Sequence, residues 1–214
     1  MTKILIIGAY GKTAQLVTER LLSETNNELK LFLRNSSRLD KYRFNDRVEL
    51  IDGDVTDMSL LKESMKDVDI VYSNVGGVDL AEQSKVIIQA MKDSNLSRLI
   101  FISSLGTYHE VPGKFGEWNE KMIAAYLPGF RESAKLIEDS GLVYTMIRPS
   151  WMSDKDEIDY ETTQKGEPLK GTEVSRRSIA DLVIKIIESP ADYENQSIGI
   201  NKPNTDGDMP EWYR

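Results

Sequence analysis

Short apolar runs alternate with longer amphipathic segments along most of the chain, and the two patterns predict different elements. The short runs predict strands at residues 3–7, 29–33, 48–51, 69–72, 99–103, 143–147 and 197–200. Apolar positions at helical spacing predict helices at residues 13–23, 56–65, 80–93 and 178–188. Residues 117–139 predict one or two more helices, with a break near Pro128 and Gly129.

The order of these elements predicts the fold class. Runs such as ILII and LIFI lack polar alternation, which is typical of strands covered on both faces. Strands that alternate with helices need crossover connections, so we predict one α/β domain over residues 1–214 with a doubly wound parallel sheet and helices on both faces. The segment from Asn201 predicts a loop, whose Trp212 and Tyr213 either pack on the body, pack on a partner chain, or stay inert.

The first predicted strand runs into IIGAYGKTAQ, residues 6–15, which allows two interpretations. The letters GKT end a phosphate-binding P-loop, but that loop needs a glycine five residues before Gly11, and Ile6 stands there. In the second interpretation Gly8 makes a sharp turn, Gly11 leaves room for a diphosphate, and Ala14 lets the helix pack closely on the strand. We therefore predict a dinucleotide-binding turn of Rossmann type, the alternative being a tight turn without a ligand. The predicted contacts are Gly8, Tyr10, Gly11, Lys12 and Thr13.

The residues at the end of the second predicted strand indicate whether NAD(H) or NADP(H) binds. An NAD enzyme usually has Asp or Glu there for the ribose hydroxyls, whereas this chain reads LFLRNSSRLD. A guanidinium binds a 2′-phosphate in bidentate fashion and stacks on adenine. We expect NADP(H) rather than NAD(H), the alternative being a solvated surface arginine. The predicted contacts here are Arg34, Asn35, Ser36 and Arg38.

The composition of the chain excludes several classes of function and of catalytic site. The formal charge of −8 over 214 residues argues against nucleic-acid binding, which calls for a clustered basic surface. The sequence has no cysteine and one histidine, His109, so thiolate chemistry and multi-histidine metal sites are excluded, and we predict no metal. The apolar run at the start is too short for a signal-peptide core, and we expect a cytoplasmic protein that does not enter membranes. The composition is compatible with either a monomer or a homodimer.

Six segments in order resemble the NmrA-like, NAD(P)H-binding group of atypical short-chain dehydrogenases/reductases. They are GAYGKTA, GDVTD at 53–57, SNVGG at 73–77, FISSLG at 101–106, SGLVYTMIRPSWM at 140–152 and VSRRSIADLV at 174–183. The resemblance implies that Asp54 and Val55 border the adenine, and that Asn74, Val75 and Gly76 line the ribose and diphosphate. It also implies that Ser103 lies beside the nicotinamide ribose. The residues it places against the nicotinamide are Pro149, Ser150, Trp151 and Met152. Each segment lies at the carboxyl end of a predicted strand, where open α/β sheets bind ligands. The alternatives are structural: helix capping by Asp54, a turn at Gly76, and local hydrogen bonds of Ser103.

Many relatives of this fold reduce carbonyls with a tyrosine followed four residues later by a lysine, which lowers the phenol pKa. Here Tyr126 lies nearest the expected position, and Phe130 stands in place of the lysine. The chain is similar to flavin-reductase and biliverdin-reductase-type members, which lack that pair. We therefore predict hydride transfer to a small, flat, conjugated acceptor such as a flavin or quinone. The alternative is an NADP(H)-binding redox sensor without turnover.

Two segments near residues 106–118 and 150–172 are predicted to form the acceptor side. Ser103 and Tyr108 are the catalytic candidates, with His109 as a second possible proton donor. Lys114 is a candidate to bind an acidic group of the acceptor. Trp118 and Trp151 are expected to stack on a flat ring.

Overall fold

The computed structural model describes residues 1–213 and contains ten strands and six α-helices. The strands are β1 (Lys3–Ile7), β2 (Glu28–Leu33), β3 (Val48–Asp52), β4 (Ile70–Ser73), β5 (Arg98–Ile102), β6 (Val143–Pro149), β7 (Trp151–Ser153), β8 (Glu161–Thr163), β9 (Glu173–Ser175) and β10 (Gln196–Asn201). The α-helices are α1 (Lys12–Glu24), α2 (Met58–Ser64), α3 (Leu80–Asp93), α4 (Gly113–Met122), α5 (Leu127–Glu138) and α6 (Arg176–Glu188). Three 3₁₀ helices cover Ser36–Tyr42, Pro190–Tyr193 and Glu211–Tyr213.

The central sheet has the order β3-β2-β1-β4-β5-β6-β10-β8. Its neighbours are parallel except β8, which runs antiparallel to β10 at the edge. The chain adds strands on one side of β1 and then, from β4 onward, on the other, so the switch point lies between β1 and β4. The prediction of a doubly wound sheet is confirmed, and the antiparallel edge strand is an addition to it. A separate small sheet pairs β7 with β9 in parallel.

Both faces of the sheet are covered, as the uninterrupted apolar strands predicted. In β1, Ile4 and Ile6 face the core under α1 and α6, while Leu5 and Ile7 face the core under α2, α3 and α5. All four side chains are buried, and burying each contributes about 1.5–3 kcal/mol to folding. The rigid sheet between these layers fixes the carboxyl ends of the strands, from which the site segments project.

The predicted break between two helices is present, but it lies at residues 123–126, just before Pro128 and Gly129. The chain leaves the helical conformation at Ile123 and re-enters it at Leu127, so Pro128 lies in the first turn of α5. Proline is tolerated there because the N–H it lacks would have no intrahelical partner. The prediction of a plain loop after Asn201 is also incomplete, because this segment ends in the 3₁₀ helix Glu211–Tyr213. Among the described residues, no helix is both long enough and apolar enough to cross a membrane.

Candidate coenzyme site

The turn after β1 packs against one residue, Asn74, which directly follows the neighbouring strand β4. A Cβ on Gly11 would lie 2.2 Å from the Asn74 amide nitrogen, and one on Gly8 would lie 2.8 Å from the Asn74 carbonyl oxygen. Gly8 also has a φ of +76°, a conformation that favours glycine. The Tyr72 hydroxyl donates to Asn74 Oδ1 at 3.1 Å, which directs the amide nitrogen toward the turn. Sequence reasoning assigned Gly8 to a sharp turn and Gly11 to the diphosphate, and it missed the close approach of Asn74.

Helix α1 begins directly after this turn and presents its N-terminus to it. The first intrahelical bond runs from Gln15 N–H to the Gly11 carbonyl at 2.9 Å. No side chain caps the helix, and its first turn contains no acidic residue. The leading N–H groups and the positive end of the helix dipole are therefore available to an anion.

The segment after β2 forms the cationic end of the site. The Arg38 guanidinium lies over the Tyr10 ring, 4.1 Å from its centre, and donates to the Arg34 carbonyl at 2.7 Å. The Arg34 side chain is 82% exposed, and its nearest carboxylate oxygen, on Asp54, is 3.8 Å away. The guanidinium of Arg34 is therefore open to solvent and has only a distant contact with the Asp54 carboxylate.

A carboxylate from β3 holds this segment in place. Asp52 accepts the backbone N–H groups of Ser36 at 2.9 Å and Asn35 at 3.0 Å, and Asn35 has a φ of 58°. These bonds from Ser36 and Asn35 lower the pKa of the Asp52 carboxyl. Asn35 and Ser36, which were predicted to touch the coenzyme, are thus engaged by Asp52 and do not line the cleft described next.

A cleft of about 570 Å³ runs from the cationic end, past the glycine turn, to the end of β4. The residues that line this cleft and were predicted from the sequence to contact the coenzyme are Gly8, Tyr10, Gly11, Arg34, Arg38, Asp54, Val55, Asn74, Val75 and Gly76. A Cβ on Gly76 would meet no atom within 4 Å, so this residue leaves open space. Asp54 accepts the N–H of Thr56 at 3.0 Å, while Asp57 caps α2, so Asp54 shapes the turn before the helix and does not cap it.

Sequence reasoning missed several residues that line the same cleft. They are Ile7, Phe32, Leu33, Gly53, Gly77, Val78, Asp79, Gln83 and Tyr126. Gln83 donates to Asp79 at 2.8 Å, a helix-start contact that the spacing of the two residues along the chain could have suggested. Tyr126 had been noted only as the nearest match to the absent tyrosine–lysine pair, yet it lies at the cleft.

The residues predicted beside the nicotinamide follow β5 and β6, which are neighbours in the sheet. Ser103 is buried, and its hydroxyl lies 3.0 Å from that of Thr107. Ser150 donates to the Gly171 carbonyl at 2.6 Å, and Met152 is exposed. The residues predicted for this half do not line the open cleft, whereas those predicted for the adenine half mostly do.

This arrangement combines a glycine turn, an uncapped helix N-terminus and a cleft at the switch point of a doubly wound sheet, which is the layout of a dinucleotide site. The sequence profile described as NAD(P)H-binding matches residues 8–190. The chain belongs to the NAD(P)H-binding family. Its cleft accordingly fits a nicotinamide coenzyme, as the turn after β1 predicted.

Solved structures agree with this assignment to the NAD(P)H-binding family. A Rossmann-fold NAD(P)-binding family protein from Shigella flexneri is 40% identical, with a TM-score of 0.84 and coverage of 98% of each chain. A short-chain dehydrogenase/reductase from Veillonella parvula DSM 2008, solved in complex with NADP, is 25% identical, with a TM-score of 0.93 over 98% of this chain and 99% of that one. Both superpose over nearly the whole length.

Curated relatives of this NAD(P)H-binding chain are longer proteins. Eugenol synthase 1 of Petunia hybrida is 32% identical over 158 residues, which is 68% of this chain and 47% of that protein. An isoflavone reductase-like protein of Olea europaea is 34% identical over 113 residues, which is 50% of this chain and 36% of that protein. The chain therefore spans less than half the length of these relatives.

On the predicted acceptor side, the aromatic residues contact one another. The Trp118 and Trp151 rings lie 4.7 Å apart between centres, and Tyr213 lies edge-on to them at 5.2 and 5.4 Å. The Trp151 indole N–H donates to Asn119 at 3.0 Å. Glu211 pairs with Lys155 at 3.0 Å, which helps to hold Tyr213 there. The two tryptophans, which were expected to stack on an acceptor, therefore pack against the chain's own C-terminal segment.

The remaining acceptor-side candidates have partners within the protein. The Tyr108 hydroxyl donates to Glu138 at 2.7 Å, and burial raises the pKa of this phenol. His109 is largely exposed, and its Nδ1 lies 3.2 Å from the Arg131 guanidinium. Lys114 lies 3.5 Å from Asp208. None of these three lines the cleft, and their catalytic or binding roles stay predictions.

Proposed function

We propose that this chain is an NADP(H)-dependent reductase that transfers hydride to a flat, conjugated acceptor such as a flavin or quinone. The observation that carries the coenzyme part is the pair of arginines at the adenine end, with Arg38 stacked on Tyr10 and the Arg34 guanidinium exposed. The relatives named as isoflavone reductase homologues support reduction as the type of reaction.

NADP(H) is favoured over NAD(H) by the charges around the end of β2. The nearby carboxylate of Asp52 is occupied by backbone N–H groups, and that of Asp54 by Thr56, so each is drawn into a turn. The Arg34 guanidinium is largely exposed and 3.8 Å from Asp54, so it has room for a further anion, and a 2′-phosphate is the part of NADP(H) that would supply one. The protein from Veillonella parvula solved with NADP supports the same choice.

The acceptor class follows from the proton chemistry. Tyr126 borders the cleft, but Phe130 stands four residues later, where the tyrosine–lysine pair of related reductases has its lysine. The bound coenzyme would supply the hydride. A conjugated acceptor spreads the added charge over its rings, so water can supply the proton, and the protein has only to hold the two rings together. This reasoning agrees with the resemblance to flavin- and biliverdin-reductase-type proteins.

A redox sensor without turnover is the second candidate, and one observation favours it. Tyr213 covers the Trp118 and Trp151 rings, which are the aromatic surfaces that an acceptor would use. In a sensor, binding of the coenzyme changes the conformation seen by a partner, and no acceptor site is needed.

One experiment separates the two candidates. The protein is titrated calorimetrically with NADPH and with NADH, and oxidation of the preferred coenzyme is then followed with FMN, FAD, a small quinone and biliverdin. A reductase oxidises NADPH catalytically with at least one of these acceptors. Tight binding without turnover across all four supports the sensor, and no binding of either coenzyme contradicts both proposals.

A further inference from the structure

One carboxylate near the glycine turn is shared by two cations from different elements. Asp154 follows β7 and Arg176 follows β9, and the pairing of Ser153 with Ser175 brings the two residues side by side. Asp154 Oδ1 accepts from Arg176 at 2.6 Å, and Asp154 Oδ2 accepts from the Lys12 ammonium group, also at 2.6 Å. Each carboxylate oxygen therefore has its own cation.

Lys12 connects the cluster of Lys12, Asp154 and Arg176 to the N-terminus of α1. Lys12 is the first residue of α1, whose N-terminus has no side-chain cap. Its side chain nevertheless points to Asp154 across 142 residues of sequence. The hydrogen bond from Lys12 and the charge and hydrogen bond of Arg176 all lower the pKa of the Asp154 carboxyl. A carboxylate with one oxygen on each cation has the charge and spacing of two phosphate oxygens.

We propose that Lys12 and Arg176 form a two-cation site for the diphosphate of the coenzyme, and that Asp154 fills this site until the coenzyme binds. The inference rests on the proposed function and adds Arg176 to the groups that bind the coenzyme. It also makes Asp154 an internal competitor of the coenzyme.

The energetics favour an exchange of partners. The side chains of Lys12 and Asp154 are 67% and 59% exposed, and ion pairs this exposed add little net stability. A diphosphate brings two negative charges where Asp154 brings one, and it also meets the N–H groups at the start of α1. The Asp154 carboxylate would be repelled by these phosphates and would move away from Lys12.

A bridging role for Asp154 over the bound coenzyme predicts the opposite change in affinity. If Asp154 stayed on Lys12 and formed a bridge over the bound coenzyme, removing its charge would weaken binding and speed release. The sign of the change in affinity therefore distinguishes competition from a bridge.

The test is the dissociation constant of NADPH for Asp154→Asn, measured by calorimetry, with inorganic pyrophosphate as a competing probe. Loss of the competing charge should tighten binding of both ligands by about two- to fivefold, with a smaller effect at high salt. Asp156→Asn is the matched control, because Asp156 pairs with Arg177 at 2.7 Å on the same segment and its loss changes the net charge equally. The control should bind like the wild type.

A second variant tests the cation directly. Arg176→Gln should weaken NADPH and pyrophosphate by a similar factor, whereas Arg176→Lys should retain most of the affinity, and thermal unfolding checks that both variants fold. Unchanged or weaker binding by Asp154→Asn relative to Asp156→Asn would overturn the inference. If the wild-type protein binds no NADPH, the proposed function is contradicted. The effect of the same variants on pyrophosphate binding then tests the two-cation site independently.

Discussion

The Arg38 guanidinium lies over the Tyr10 ring, with its central carbon 4.1 Å from the ring centre. Tyr10 belongs to the turn after β1, and Arg38 belongs to the 3₁₀ helix after β2, so this contact joins the two segments that border the cationic end of the cleft. A cation on an aromatic face at this distance contributes about 0.5–1 kcal/mol at an exposed site. The contact leaves Arg34 as the guanidinium that is free for a 2′-phosphate.

Arg34→Glu should therefore discriminate between the two coenzymes. We expect the dissociation constant for NADPH to rise by about tenfold or more, since a charge-assisted bond is lost and a repulsive charge is added, while that for NADH changes little. Arg43→Glu is the control, because Arg43 is exposed nearby and pairs with Asp40. Equal losses for NADPH and NADH would count against the 2′-phosphate role.

Gly11→Ala should destabilise the fold and abolish coenzyme binding. The added Cβ would lie 2.2 Å from the Asn74 amide nitrogen, which cannot move without loss of the bond from Tyr72. We expect a loss of about 1–3 kcal/mol in the free energy of urea unfolding. Gly76→Ala is the control, since its Cβ has free space, and Asn74→Ala should relieve much of the loss. If Asn74→Ala gives no relief, another contact causes the strain.

The turn after β1 shows what could be derived from the sequence. Its glycine spacing and its place between a strand and a helix predicted the dinucleotide turn, and the family match and the cleft agree with that prediction. The partner of the glycines, Asn74, lies more than sixty residues away along the chain. Only the pairing of β1 with β4 brings it to the turn, and local patterns carry no information about that register.

The acceptor side was harder to predict for a related reason. Strands β7, β8 and β9 have three residues each, too few to show a period. The Trp118 and Trp151 side chains were predicted to stack on an acceptor, and in the structure they contact each other and Tyr213. Their actual neighbour, Tyr213, comes from a segment predicted as a loop, for which packing on the body was one of three alternatives, because a tertiary contact of this kind leaves no periodic pattern in the sequence.

Glu110→Gln should be among the most damaging single substitutions. Glu110 Oε1 accepts from Arg148 at 2.5 Å, and both side chains are almost completely buried. Removing the negative charge leaves the Arg148 charge buried without its partner, so we expect a loss of about 3–5 kcal/mol in the free energy of unfolding. The double variant Glu110→Leu with Arg148→Met removes both charges and should be more stable than Glu110→Gln. A loss below about 1 kcal/mol for Glu110→Gln would contradict this account.

Asp52 should make stability depend on pH. Its pKa is lowered in the folded protein by the N–H groups of Ser36 and Asn35, so its contribution is complete above the ordinary carboxyl pKa and is lost as pH falls through the lowered value. Thermal unfolding of wild type and Asp52→Asn is compared from neutral pH down to about pH 3. The advantage of wild type should shrink in the acid range. Asp46→Asn, at an exposed carboxylate before β3, is the control for the loss of one surface charge.

Tyr108→Phe decides whether this tyrosine is catalytic. Since its hydroxyl donates to Glu138, we expect a loss of about 0.5–1.5 kcal/mol in stability and little change in kcat with a flavin or quinone acceptor. A fall of about a hundredfold in kcat would instead support proton donation by Tyr108. Tyr126→Phe, at the cleft, provides the comparison under the same assay.

The contact between Trp118, Trp151 and Tyr213 also gives the protein an optical signature. Two of its three tryptophans lie close enough for their excited states to couple, so near-ultraviolet circular dichroism will be dominated by this cluster. Undocking of residues 211–213 would change that spectrum while the far-ultraviolet signal of the sheet stayed constant. The seating of the C-terminal segment can thus be followed without a label during coenzyme titration.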